Sequence, residues 1–462
     1  MLESATALES KGSVVARQSV RVGTGAGYAG DRWEPAVELV EKGKVDYIIF
    51  ECLAERTIAR ETLARRSNPE GGYNPRLEAR MADVLPACAR HGVRIVTSQG
   101  AANPLGAARK TCEIAAETGN PELRCAALLG DDVTELVAAR PGLCLLESGE
   151  PVESIAPRIA AANAYLGADA VRDALATGAE VVMTGRVADP SLFIGPMLHE
   201  LGWAYDDYGA LAQATAAGHL LECAGQVTGG YFADPGAKDV PGLARLGFPY
   251  ADIGKDGTVR IGKVESAGGR VDVQTCTEQL LYEVHDPKAY ITPDCVLDIT
   301  GIALRQDGKD RVAVEGARAA PRTPSYKVSI GYLDGYLGEG QLSYGGPNAV
   351  ARARLAGEVI RERLKLRGLH YDELRIELIG IDSLHGPADD RPEPYEVRLR
   401  VVGRTQSRKL AGEIGWEVEA LYTNGPQGGA GDFRQVRDVL AVQSVLLPRE
   451  LVKTHIEVVG AP

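Results

Sequence analysis

The chain has 462 residues, with 51 Lys+Arg against 63 Asp+Glu for a formal net charge of −12, and 45% of its side chains are apolar. That composition excludes a wholly disordered chain. The acidic balance argues against sequence-independent binding to nucleic acid or to an anionic membrane, but a locally positive pocket for an anionic small molecule stays open.

Residues 1–17 read as a polar lead-in without the apolar stretch of a secretory signal, and no run of about 18 apolar residues follows. A cytoplasmic setting is expected. A short strand, Ser19–Gly23, leads into Gly23-Thr24-Gly25-Ala26-Gly27-Tyr28-Ala29-Gly30-Asp31-Arg32. A helix over Glu34–Gly43, a buried strand over Val45–Phe50 and a helix over Ile58–Arg66 come next. After a turn-rich stretch, Asn68–Pro75, a helix covers Arg76–His91 and a strand Val93–Thr97. Asn103 is placed to cap a helix reaching about Glu117. Arg124–Leu129 reads as a strand, Asp131 as the start of a helix, Ala168–Thr177 as an Ala-rich helix and Glu180–Met183 as a strand. This alternation predicts a parallel, Rossmann-like α/β sheet with helices on both faces, forming a first domain over residues 18–230.

Beyond Gly225, Pro and Gly break the chain into shorter pieces. Val259–Ile261, Val271–Val273 and Val296–Ile299 read as strands. Tyr326–Ile330, Ala349–Leu366, Leu374–Ile381, Tyr395–Val402, Ser407–Leu421 and Val436–Leu446 then give a βαββαβ order. A mixed α+β lobe over 231–462 with a ferredoxin-like split sheet is expected.

In parallel α/β sheets ligands bind beyond the carboxyl ends of the strands, so the residues after each strand carry most weight. Here these are the glycine loop with Gly25, Gly27, Tyr28 and Asp31, then Glu51 with Glu55, then Ser98, Gln99, Gly100 and Asn103, then Asp131, then Thr184, Arg186 and Asp189. Glycines can simply close tight turns, but five such loops favour one shared pocket. Glu51 follows the apolar run Tyr47–Phe50, where burial would raise its pKa and suit it to acid–base work, although an ion pair with a neighbouring arginine is the plainer reading. The Ser98–Asn103 loop is the expected oxyanion or carbonyl site. Arg186 is the expected fork for a carboxylate, and Asp189-Pro190 a helix start.

Gly25-x-Gly-x-x-Gly30 also fits a dinucleotide fingerprint, with Glu51 near the position of a ribose-binding acid. Asp31 weakens that alternative, since a carboxylate at the loop would repel a pyrophosphate. Further on, His219 and Glu222 share a helix face at three-residue spacing, suited to a metal or a proton relay, or to an ordinary core pair. Gln226 and Thr228 are candidate ligand contacts, and Cys223 a weak candidate nucleophile. The eight cysteines form no CxxC or Cys/His knuckle, and the spacing supports no metal or other cofactor.

The runs GTGAGYAGDR, YIIFECLAERT, VTSQGAANP, TGRVADPSLFIGPM, GHLLECAGQVTGGYF and GFPYADIGKDG resemble the AtuA-type acyclic terpene utilisation family, from about residue 20 to at least 350. The resemblance implies a place in bacterial breakdown of citronellol and geraniol through branched acyl-CoA intermediates. With the residue reading, it points to a lyase acting on a branched hydroxyacyl-CoA or a related hydroxy-carboxylic acid, by hydration/dehydration or carbon–carbon cleavage. Longer relatives carry a C-terminal ferredoxin-like domain. Little length remains here after Pro426 for one, so a separately encoded small ferredoxin-fold partner is implied, or a function without one. A homo-oligomer is expected. The alternatives are a dinucleotide-dependent oxidoreductase and a non-catalytic scaffold for the small partner.

Overall fold

The computed structural model describes residues 16–386 and 392–460. The lead-in expected over 1–17 therefore falls almost wholly outside the described residues. Four strands, β1 (Ser19–Gly27), β2 (Tyr47–Glu51), β3 (Arg94–Thr97) and β4 (Arg124–Leu129), run parallel with a fifth, Val181–Thr184. Their order across the sheet is β1, β2, β3, Val181–Thr184, β4. All of β2 is buried, which is why its sequence is an unbroken apolar run to the final glutamate rather than an alternating pattern.

Antiparallel strands extend both edges into one mixed ten-stranded sheet. Pro249–Gly254, Val259–Lys263, Arg311–Glu315 and Ala303–Gln306 continue outward from β1, and His455–Gly460 pairs with β4. The fold is thus mixed α/β. The helices Glu34–Lys42, Leu77–His91 and Pro104–Glu117 pack Leu39, Val84, Leu85 and Ala108 into a core that includes Ile48 and Phe50 of β2.

The chain divides into two compact units, one holding the described residues up to Ala156, Ala160–Gly331 and those from Gln443 onward, the other Pro157–Ile159 and Tyr332–Val442. The boundary expected at 230/231 lies inside the first unit. The reason is hydrogen bonding: Pro249–Gly254 pairs along β1, from Ser19 opposite Gly254 to Gly23 opposite Tyr250. In the second unit, helices Ala349–Leu366 and Arg408–Glu419 bury Ala353, Ile360, Ile414 and Val418 against Leu399 and Val401. The strands lie in the order Glu373–Ile379, Glu396–Thr405, Ser325–Gly345, Ala430–Pro448.

Three local expectations are corrected. β1 runs on through Gly27, so the first glycines are strand residues and not a loop. Val271–Val273 is not a strand: Asp272 caps the helix Val273–Leu281, accepting the Gln274 and Thr275 N–H groups at 2.9 and 3.0 Å. Its own N–H donates to Thr275 Oγ1, a reciprocal cap that outweighs the β-branched pattern. Asp131 does not begin a helix; that helix is Thr134–Ala138, and Asp131 is buried.

Candidate functional site

A cavity of about 760 Å³ opens beyond the carboxyl ends of three of the five parallel strands. β1 supplies Gly27, Tyr28 and Asp31, β2 supplies Glu51 and Glu55, and Val181–Thr184 supplies Arg186 and Asp189. The opposite wall comes from later in the chain: Glu222 and Cys223 at the end of the helix Tyr208–Glu222, Gln226, Tyr282, Glu283, Tyr290 and Lys327. Tyr165 joins them from the end of the strand Ile159–Ala164.

The loops after β3 and β4 do not line the cavity; they brace it from behind. Ser98 Oγ accepts the Cys52 N–H at 2.8 Å and lies 3.5 Å from Glu51 Oε1. Asn103 caps its helix through the Gly106 N–H at 3.0 Å and donates to the carbonyls of Pro69 and Gly71. Gln99 is fully buried and accepts from Arg80 at 2.7 Å. Gly100 packs on the Thr184 carbonyl. The expected oxyanion role of this loop thus has no opening to a substrate. Thr184 and Thr228 are also buried, bonded to backbone carbonyls, and do not line the cavity. Gly25 faces the Phe50 ring and Gly30 packs on Tyr28.

Behind the site, Asp131 Oδ2 accepts the backbone N–H of Arg186 at 2.8 Å and the Asn163 side chain at 3.0 Å. A side chain at Gly185 would strike the same carboxylate, 2.4 Å from its Oδ1, so glycine is what lets the Thr184-Gly185-Arg186 turn close. Burial lifts the Asp131 carboxyl to about 6.

Arg186 is only 2% exposed. Its guanidinium donates to the Leu53 carbonyl and to Asp189, and its carbon stands 4.3 Å from the centre of the Tyr165 ring. The expected carboxylate fork is therefore already occupied by the chain's own acid; Nε alone lacks a partner. Asp189-Pro190 does open a helix, Asp189–Leu201, with Ala188 in the capping position. Lys327, half exposed and 3.9 Å from Glu55, and the exposed Arg32 are more open cations on the cavity wall than Arg186.

Glu51 is 7% exposed. Burial and the negative charge of Asp189 push its carboxyl well above the usual range, against Arg186 and the Leu53 N–H, which donates at 2.7 Å. Glu55 goes the other way. Burial would raise it, but Arg186 and the Tyr165 hydroxyl hold it below its ordinary value. Two acids four residues apart on one cavity wall thus have opposite leanings.

The dinucleotide alternative loses its binding groups. Asp31 accepts the Gly27 and Arg32 N–H groups at 3.1 and 2.9 Å, so the loop's own carboxylate sits where a pyrophosphate would bind. The next helix begins only at Glu34. Among the described residues no group of three or more His, Cys, Asp or Glu side chains could hold a metal ion, and no helix is long and apolar enough to cross a membrane.

Sequence reasoning did not find Tyr165, Tyr282, Glu283, Tyr290 or Lys327. Tyr165 follows an Ala-rich strand with no apolar alternation to reveal it, and the others reach the cavity from turns and strands far along the chain. The polar turn after the Tyr208–Glu222 helix was visible, and its Gln226 does line the cavity.

A family model described as acyclic terpene utilisation family protein AtuA matches residues 20–458. No curated protein and no solved structure matches the chain. With nearly all of the 462 residues covered, the chain belongs to the AtuA family of acyclic terpene utilisation proteins.

Proposed function

We propose that the cavity is the active site of a lyase that dehydrates a branched 3-hydroxyacyl thioester or the related hydroxy acid, or runs the reverse hydration. The observation that carries this reading is Glu51: a carboxyl enclosed at the cavity wall, held toward its protonated form by burial and by Asp189. A neutral carboxyl can hand its proton to a departing hydroxyl. Carbon–carbon cleavage, the other lyase route, first needs a base at the hydroxyl, so dehydration fits this group better. Lys327 is the cation placed to meet a substrate anion. Tyr290 lines the cavity beside His219, which suits its hydroxyl to polarise a thioester carbonyl.

We further read the parallel strands as Rossmann-like and the 332–442 unit as ferredoxin-like. Its strand–helix–strand–strand–helix–strand order and the interleaved order of its four strands support this. On that reading the chain itself holds the small fold that a separate partner was expected to bring.

The test is a panel of hydroxyacyl-CoAs and hydroxy acids followed by mass spectrometry. The wild-type protein should remove one water from a branched member, and Glu51→Gln should lose about 10²-fold or more of that rate. Release of a two-carbon fragment would redirect the reading to carbon–carbon cleavage. Full activity in Glu51→Gln would end it.

A further inference from the structure

His219 and Glu222 lie on one face of the helix Tyr208–Glu222, both buried, with Nδ1 2.7 Å from Oε1. The other imidazole nitrogen, Nε2, lies 3.2 Å from the Leu280 carbonyl. A carbonyl can only accept, so Nε2 carries a hydrogen. If the ring is neutral, Nδ1 is then an acceptor and Glu222 must be protonated. If Glu222 is ionised, the ring must be cationic. Either way a single proton lies between the two side chains. Both imidazole nitrogens and Oε1 are thus committed. Glu222 Oε2 is not: it is buried without a hydrogen bond on a residue that lines the cavity.

We propose that His219 and Glu222 form a proton-sharing pair whose free oxygen, Glu222 Oε2, is the proton acceptor of the cavity, with His219 as its positioning residue. This rests on the lyase reading above and supplies its missing base. The α C–H bond of the substrate breaks and its proton goes to Oε2. The electron pair rests first on the carbonyl oxygen as an enolate, then becomes the carbon–carbon double bond as the β C–O bond breaks and hydroxide leaves with the Glu51 proton as water. The pair gains one positive charge as Glu51 is left negative, so the cavity's net charge is unchanged through the step.

The electrostatics agree with this geometry. Burial lifts Glu222 to about 7, with His219 pulling against it. Burial lowers His219, but Glu222 outweighs it and the ring ends above its ordinary value. The other groups facing the pair are Tyr290, whose ring lies 5.0 Å from the imidazole, and Glu51, Glu283, Asp189 and Cys223. None of these is a cation, so the shared proton is the pair's main charge compensation.

Two measurements test the proposal. In nitrogen-15 NMR of labelled histidine, with the His219 signal assigned by its loss in His219→Asn, Nε2 should stay protonated at every pH. In Glu222→Gln the ring's proton affinity should fall about tenfold or more. A bare Nε2, or an identical titration in Glu222→Gln, overturns the pair whatever substrate the protein takes. In deuterated water, the acid that the wild-type protein dehydrates should exchange its α-hydrogen. Glu222→Gln should lose that exchange about 10²-fold or more, while Glu51→Gln should keep it and lose only water release. His219→Asn should move the rise of activity with pH to higher pH, since Glu222 loses the group that lowers it. Exchange that persists in Glu222→Gln overturns the base role and leaves the lyase reading standing. Dehydration of no panel member removes the lyase reading and the base role together, while the NMR result still decides the shared proton.

Discussion

Tyr165 and Arg186 meet ring against guanidinium, 4.3 Å from ring centre to guanidinium carbon, where the enclosed cation also pairs with Asp189. Removing the cation leaves Glu51 and Asp189 facing each other in a poorly hydrated wall. Loss of one member of a buried pair costs roughly 3–5 kcal/mol, and Asp189 is about a third exposed, so Arg186→Met should cost near 3 kcal/mol. Urea unfolding checks this. A midpoint equal to wild type would show that the pair contributes no strength.

Asn103 separates a structural role from a chemical one. Its side chain caps the helix Pro104–Glu117 and ties down the 69–71 turn, without reaching the cavity. Asn103→Ala should lose about 1–2 kcal/mol of stability, as for other helix caps, with turnover per folded molecule unchanged. A hundredfold loss of turnover at wild-type stability would restore the loop to the chemistry.

Asp131 predicts a pH effect with a definite sign. Its carboxyl is raised from 3.8 to about 6 on folding, so the folded protein binds that proton more tightly than the unfolded chain. This contribution is present in full below about pH 4 and is lost as pH rises through about 6. At 1.36 kcal/mol per pH unit the loss is about 3 kcal/mol. Asp131→Asn, which keeps the shape without titrating, should lose correspondingly less stability over that window in chemical denaturation. Parallel stability curves for the two proteins would contradict it.

Asp31 bears on nucleotides. Because its carboxylate fills the N–H groups of the glycine turn, NAD, NADP and FAD should leave the melting temperature unchanged at millimolar concentration. A rise of several degrees with any of them would reopen the dinucleotide alternative.

What the sequence revealed was local. The cap at Asn103, the helix Ala349–Leu366 and the apolar run of β2 depend on neighbours a few residues away, and each appears in the structure. Glu51, Glu55, Arg186 and Asp189 do converge, because β2 and Val181–Thr184 run parallel on either side of β3 and so end at the same edge of the sheet. Which strand-end loop opens to the cavity was not legible. Gln99 and Glu51 both stand just beyond a buried strand in sequence, yet buried Arg80 turns Gln99 inward. Tyr290 and Lys327 were invisible for another reason: they follow turns whose direction only the packed chain decides.

Gly27 closes β1 directly against the backbone of Cys223, where a Cβ would come within 2.4 Å of its carbonyl carbon and 2.6 Å of the Glu222 carbonyl oxygen. The first strand and the helix that carries the buried His–Glu pair are therefore gauged against each other by a residue with no side chain. Even an alanine there would act as a wedge between β1 and the helix that reach the cavity from distant parts of the sequence. Attempts to reshape this pocket for larger guests have no room to work at this seam.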